Sequence, residues 1–173
     1  WVYFDLKDET ATVKFFGTVY MLPGPLENGL LLQVRGMPRL HPVYGFSVNV
    51  QTMQPVGEGS IKRAVALLEA KLAAEGLFDE ARKRPLPYPP EQIGLISSSE
   101  SAAYRDFIKI LQERWGGVAI QLADVQVQGD LASSQIVQAI EHFNQQARPP
   151  EVLVITRGGG SAEDLAAFST EPV

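Results

Sequence analysis

The chain reads as an α/β protein: a parallel β-α-β-α-β part over residues 91–173, preceded by a small all-β domain over 1–57 and connected to it by an amphipathic helix and linker over 58–90. Three observations predict this. Residues 1–56 hold four short β-rich runs with no helical period between them. From Gly59 the apolar spacing changes to steps of four, three and four. After the proline-rich run Arg82-Lys83-Arg84-Pro85-Leu86-Pro87-Tyr88-Pro89-Pro90, strand and helix patterns alternate, which makes a parallel sheet with right-handed crossovers.

The elements follow in order. Trp1–Leu6 and Ala11–Phe15 flank the turn-like Lys7–Thr10, and Leu30–Gly36 and Phe46–Val50 supply two more strands of a small barrel or meander. Pro23-Gly24-Pro25 and Glu27-Asn28-Gly29 mark the loop between the pairs. Ile61, Val65, Leu68 and Leu72 form one face of a helix that Gly76 stops. The proline-rich run that follows excludes helix and central strand, and the domain boundary is placed there. Beyond it come a strand at Ile93–Ile96 and a helix at Ser101–Arg114 with Ala103, Phe107, Ile110 and Leu111 inward. A strand at Val118–Leu122, a helix at Leu131–Gln146 with Ile136, Ile140 and Phe143 inward, and a strand at Val152–Thr156 complete the series. The last strand, rich in β-branched residues, is expected to be buried on both faces.

Composition narrows the class. With 173 residues, 45% of them hydrophobic, the chain can bury a core in one domain or two. No stretch approaches the ~20 apolar residues of a membrane span, and no membrane partner is expected. The start at Trp1 carries neither signal peptide nor initiator methionine, so the chain is read as a soluble fragment of a longer one. The absence of cysteine excludes disulfides and thiolate metal sites and suits a reducing cytoplasm, the expected location. His41 and His142 stand apart from each other and from any acidic cluster, so no metal site is expected. Net charge is -5, with seven acids against two bases in residues 115–173 and balanced charge before them. A polyanion partner must therefore be argued from local sites.

Two strand-to-helix junctions fall on the carboxyl edge of the parallel sheet, where such sheets bind ligands. At Arg157-Gly158-Gly159-Gly160-Ser161, three glycines leave no Cβ in the way. Backbone N–H groups at a helix N-terminus starting at Ser161 can then converge on a phosphate, with Arg157 adding a two-pronged donor. Ser161 and Asp164 have the spacing of a capping box. Glu163 breaks a dinucleotide fingerprint and no Gly-Lys-Ser/Thr occurs, so NAD and ATP lose ground. The competing reading is that the glycines only make a tight turn. At the other junction Ser97, Ser98 and Ser99 leave the first strand, and Asp106 shares a helix face with Ala102 and Ala103. Ser97 and Ser98 are phosphate-binding candidates, and Asp106 a candidate to activate or orient water. The plainer alternatives are serines that cap the helix and an Asp106 that complements its dipole. Glu163 and Asp164 would repel a facing phosphate, so capping is their reading.

The all-β region is rich in aromatics: Trp1, Tyr3, Phe4, Phe15, Phe16, Tyr44 and Phe46. Most belong in a core, with no more than two as stacking platforms for single-stranded bases; Trp1, Tyr3 and Tyr44 are the candidates. Lys7, Lys14, Arg35 and Arg39 can track a nucleic-acid backbone, and Arg105 can join them from the first helix of the α/β part.

Taken in order, these residues resemble the large subunit of exodeoxyribonuclease VII. Trp1–Glu9 looks like the second strand of that family's N-terminal OB-fold, and Val34-Arg35-Gly36 and Pro55–Gly59 like later pieces. Lys71–Pro87, Ala102-Ala103-Tyr104-Arg105-Asp106, Val127-Gln128-Gly129 and Arg157–Leu165 continue the series. The resemblance implies hydrolysis of single-stranded DNA from either end to acid-soluble oligonucleotides and 5'-nucleotides. It also implies a small helical partner subunit and no required cofactor or divalent metal, with magnesium left open. By the same resemblance Asp106 and Arg157 are the catalytic candidates, Gly158–Gly160 and Ser161 phosphate-binding, and the β region a truncated OB-like domain. The family usually has Pro, Thr and Gly where this chain has Ser99, Glu100 and Ser101, and Trp and Asn at Ala166 and Ser169. Its downstream Gly-His-Glu-Thr-Asp motif, its first OB strand and its C-terminal helical region are absent, so the fragment is expected to be inactive alone. The rival readings are a non-catalytic single-stranded DNA binding module and a nucleotide- or anion-binding α/β domain.

Overall fold

The computed structural model describes residues 1–129, 131–159 and 165–173, which divide into two units, Trp1–Asp79 and Glu80–Val173. The fold is α/β; among the described residues it has one mixed sheet, one parallel sheet and three α-helices. No helix among the described residues is long and apolar enough to cross a membrane.

In the first unit, β1 (Val2–Lys7) and β2 (Thr12–Gly17) pair antiparallel. Asp8 shapes the turn between them: its Oδ1 accepts from the Thr10 and Ala11 amides at 2.7 and 2.8 Å and from the Thr10 hydroxyl at 2.8 Å. Those bonds, the Thr10 amide foremost, hold the Asp8 carboxyl below its usual range. After a 3-10 turn at Val19–Met21 come β3 (Leu32–His41) and β4 (Gly45–Pro55), both longer than the apolar runs that signal them. The order is β1-β2-β4-β3, with β2 and β4 parallel. A simple meander is thereby excluded, because β4 inserts between β2 and β3.

Alternation along β4 breaks at one point. Gly36 faces Val50 while Arg35 faces Thr52, a bulge that brings Val50 and Met53, three positions apart, both into the core. Gly36 is required there, since a Cβ would lie 2.5 Å from Val48 Cγ1 and 2.6 Å from the Asn49 carbonyl oxygen. Helix α1 (Glu58–Ala74) buries Leu68 over Gly24, while Val65 of the same stripe stays exposed. The Gly76 amide donates to Ala73 O and the Leu77 amide to Leu72 O, each at 3.0 Å. That is a Schellman closure, and Gly76 takes the left-handed φ of +69° it needs.

In the second unit β5 (Gln92–Ser97), α2 (Ala102–Arg114), β6 (Ala119–Asp124), α3 (Ala132–Gln145) and β7 (Val152–Ile155) follow one another, and a 3-10 turn lies at Ala166–Ser169. The strands are parallel in the order β6-β5-β7. This corrects the expectation for the last strand: β7 flanks the sheet and is half-buried, whereas central β5 holds Ile93, Leu95, Ile96 and Ser97 buried. The core joins Ile96 to Ile136, Ala139 and Phe143 of α3, with Ile140, Leu153, Ile155 and Phe168 packed around them. On α2 the half-buried face runs through Tyr104, Phe107, Ile108 and Leu111, so Ile110, expected inward, is 52% exposed. Residues at 104, 107, 108 and 111 share a narrow arc of the helix, and 110 lies outside it.

Candidate functional site

The carboxyl edge of the parallel sheet is built by the residues that leave β5. Ser97 ends that strand with its side chain fully buried, its hydroxyl donating to the Thr156 carbonyl at 3.0 Å and lying 3.5 Å from Ser101 Oγ. The Thr156 amide in turn donates to Ile96 O at 3.1 Å, which fixes the residue just before Arg157. Ser101 caps α2 by accepting from the Tyr104 amide at 3.0 Å, and its own amide closes a turn onto Ser98 O at 3.0 Å. Ser98 is half-buried in that turn. Ser97 and Ser101 thus act first as framework, one joining β5 to the start of the Arg157 loop and the other starting α2.

Asp124, the last residue of β6, escaped the sequence reading. It accepts from the Ser99 amide at 2.9 Å and from the Ser99 hydroxyl at 2.6 Å. The hydroxyl first and the amide second hold its carboxyl below the usual aspartate range. The available signal was its place at the carboxyl end of a parallel strand; its partner lies 25 residues away in sequence.

Arg157 is half-buried directly after β7, and its Nε donates to the Gly158 carbonyl at 2.6 Å. Gly158 and Gly159 are exposed. Neither has a φ in the left-handed region, and no described residue lies within 4 Å of a Cβ built on either. Among the described residues, then, neither φ nor packing demands glycine at 158 or 159. Gly160, Ser161, Glu163, Asp164 and the helix start expected at Ser161 lie outside the described residues. Arg105 and Asp106 are exposed on α2. The contacts of the edge join Ser97, Ser98, Ser99, Ser101, Asp124 and Thr156; those among the described residues do not include Asp106.

A second surface lies on the four-stranded sheet. Alternation in β1 turns Trp1 and Tyr3 outward, 74% and 76% exposed, and half-buries Phe4. Tyr3 sits opposite Phe16 in the register, with ring centroids 6.4 Å apart, and Trp1 is 6.1 Å from the same ring. Phe4 stacks on Phe15 at 5.7 Å toward the other face. Lys14 is exposed opposite Asp5, and Arg35 and Arg39 are exposed along β3. In the β3–β4 turn, His41 Nδ1 accepts from the Val43 and Tyr44 amides at 3.1 and 3.3 Å. The Tyr44 ring packs 4.7 Å from the imidazole while remaining 79% exposed.

The sequence model of the family "Exonuclease VII, large subunit" matches residues 77–173. Among relatives, the exodeoxyribonuclease 7 large subunit of Desulforudis audaxviator is 41% identical over 176 residues, covering 99% of this chain and 43% of the relative. That of Koribacter versatilis is 37% identical, with 98% and 38% covered, and that of Photorhabdus laumondii 41% identical, with 99% and 38% covered. The chain spans about two-fifths of the length of these relatives. With the family match extending over more than half of its residues, the chain belongs to the exonuclease VII large-subunit family.

Proposed function

We propose that this chain is part of a single-strand-specific exodeoxyribonuclease that hydrolyses phosphodiester bonds. The observation that carries the reading is the pair Gly158-Gly159, which neither a left-handed φ nor a neighbour among the described residues requires, exposed beside Arg157 at the carboxyl edge of a parallel sheet. Glycines kept where a side chain would fit imply that something else occupies the space, and exposed amides beside a guanidinium suit a phosphate.

In this reading Arg157 and the amides of residues 158–161, with Ser98, hold the non-bridging oxygens of the scissile phosphate and neutralise charge that grows in the transition state. Asp106 orients a water and takes its proton as the water oxygen bonds to phosphorus. The phosphorus–ester bond breaks on the opposite side, and the departing oxygen takes a proton from an acid outside these residues, for which the family's downstream histidine is the candidate. The fragment is accordingly inactive alone. No divalent metal is needed, and the small subunit docks on parts of the protein outside this chain.

The first unit binds the strand. Its order β1-β2-β4-β3 with a parallel β2/β4 pair supports an OB-like reading, in which a further strand between the free edges of β1 and β3 would close the barrel. Trp1, Tyr3 and Tyr44 stack bases while Lys14 and Arg35 follow the phosphates, with Arg105 a further cation on α2. The test is cleavage of end-labelled single-stranded and duplex DNA in excess chelator by the full-length protein with its small subunit. Single-strand-only cleavage, abolished by Arg157→Ala with binding retained, is expected. Retained cleavage by Arg157→Ala would overturn the assignment, and absence of cleavage with chelator or magnesium would leave a binding module.

A further inference from the structure

We propose that Asp124 is a positioning residue for the reaction, acting by locking the Ser97–Ser101 loop onto the end of β6. The inference rests on the phosphodiesterase reading and adds a residue to it.

Three strand ends meet at this edge: β5 runs directly into the loop, β7 is tied to it through Thr156, and the β6 end through Val125 and Asp124. Ser97 Oγ ties β5 to Thr156 at the start of the Arg157 loop, and the Val125 amide donates to Ser97 O at 3.0 Å from just beyond β6. Both of these ties hold Ser97. Ser99, two residues on, is held to the sheet by Asp124, through both carboxylate oxygens. From Ser99 the chain has one residue before the Ser101 cap sets the start of α2, the helix that carries Asp106. Without Asp124, the loop between Ser97 and α2 keeps, among the described residues, its Ser101-to-Ser98 turn and the longer Ser97–Ser101 hydroxyl contact. Small displacements of a reacting group are costly, about 10²-fold for ~1 Å, so the tie is felt in turnover.

The arrangement also settles what the carboxylate does with its charge. An aspartate at the ligand edge of a phosphate site would repel the substrate if it faced it. Here the Ser99 amide and hydroxyl take its two oxygens, one donor each. The hydrogen bond from the Ser99 amide needs an N–H at position 99, which proline there would not supply.

The experiment is steady-state hydrolysis of a single-stranded oligonucleotide by the full-length protein with its small subunit, with thermal unfolding of each variant alongside. Asp124→Ala is expected to lower kcat about tenfold with KM within about twofold, as loss of positioning rather than of binding. Asp124→Asn is expected to recover kcat to within about threefold, because its carbonyl still accepts from the Ser99 amide and its NH2 can donate to the Ser99 hydroxyl. Ser99→Ala combined with Asp124→Ala should be no slower than Asp124→Ala alone, since Asp124→Ala already removes the hydroxyl bond that Ser99→Ala removes. Wild-type kcat in Asp124→Ala, an asparagine variant as slow as the alanine, or additive losses would each overturn the proposal. Should Asp124→Ala fail to fold, Ser99→Pro, which lacks both the N–H and the hydroxyl, decides, with a kcat loss expected and unchanged kcat refuting. Arg157→Ala run in parallel separates the two ideas: if it is inactive while Asp124→Ala is normal, only this inference falls, and if it is fully active the phosphodiesterase reading falls.

Discussion

Replacing Gly158 or Gly159 by alanine separates a ligand-driven glycine from a turn-driven one. Neither glycine has a left-handed φ, and a Cβ at either meets no described residue within 4 Å. The folded chain should accept the methyl without strain, and the unfolded chain loses freedom, so stability should stay equal or rise by about 0.4 to 1 kcal/mol. Function should move the other way. A phosphate oxygen held by an amide sits about 2.9 Å from the nitrogen, and a Cβ on the same residue crowds the anion's other oxygens. Displacing the anion from one such donor costs about 10²-fold in kcat, the scale of losing a single oxyanion contact. The assay is oligonucleotide hydrolysis by the full-length protein with its small subunit, paired with thermal unfolding. A variant with raised or equal stability and about 10²-fold lower turnover supports the ligand. Normal turnover would refute the reasoning, and lowered stability would show that the turn itself needs glycine.

Two further predictions follow from the two units. Ile136 is fully buried against Ile96 and Phe143, so Ile136→Ala should lower unfolding free energy by about 2 to 5 kcal/mol, measured by denaturant titration; a loss under ~1 kcal/mol would mean that the α3–β5 contact is not the core of its unit. Trp1→Ala and Tyr3→Ala should each weaken binding of single-stranded DNA by about 1 to 3 kcal/mol in fluorescence anisotropy with little change in melting temperature. Unchanged affinity in both would remove the outer sheet face as the strand-binding surface.

Much of the architecture is legible locally because its causes are local. The Ser101 cap, the Gly76 stop and the 3.6-residue stripe of α3 each depend on side chains within a turn of the backbone they organise. Outward Trp1 and Tyr3 against half-buried Phe4 follow from strand alternation, once one face is known to be the core. Arg157 and the glycines are adjacent in sequence, so their place just after β7 was legible as well. What was missed shares a different character. Nothing in the run Val152–Thr156 says that β5 rather than β7 takes the centre of the sheet, because both are apolar enough to be buried.

By itself, then, the sequence determined the strand and helix types and their order, which are properties of short segments. Tertiary structure alone decided that β4 lies between β2 and β3, that a bulge at Gly36 brings Val50 and Met53 into one core, and that β5 is central. It alone brought Asp124 to Ser99. Strand order and a bond spanning 25 residues depend on which surfaces are buried together, a collective choice that no local window of the chain encodes.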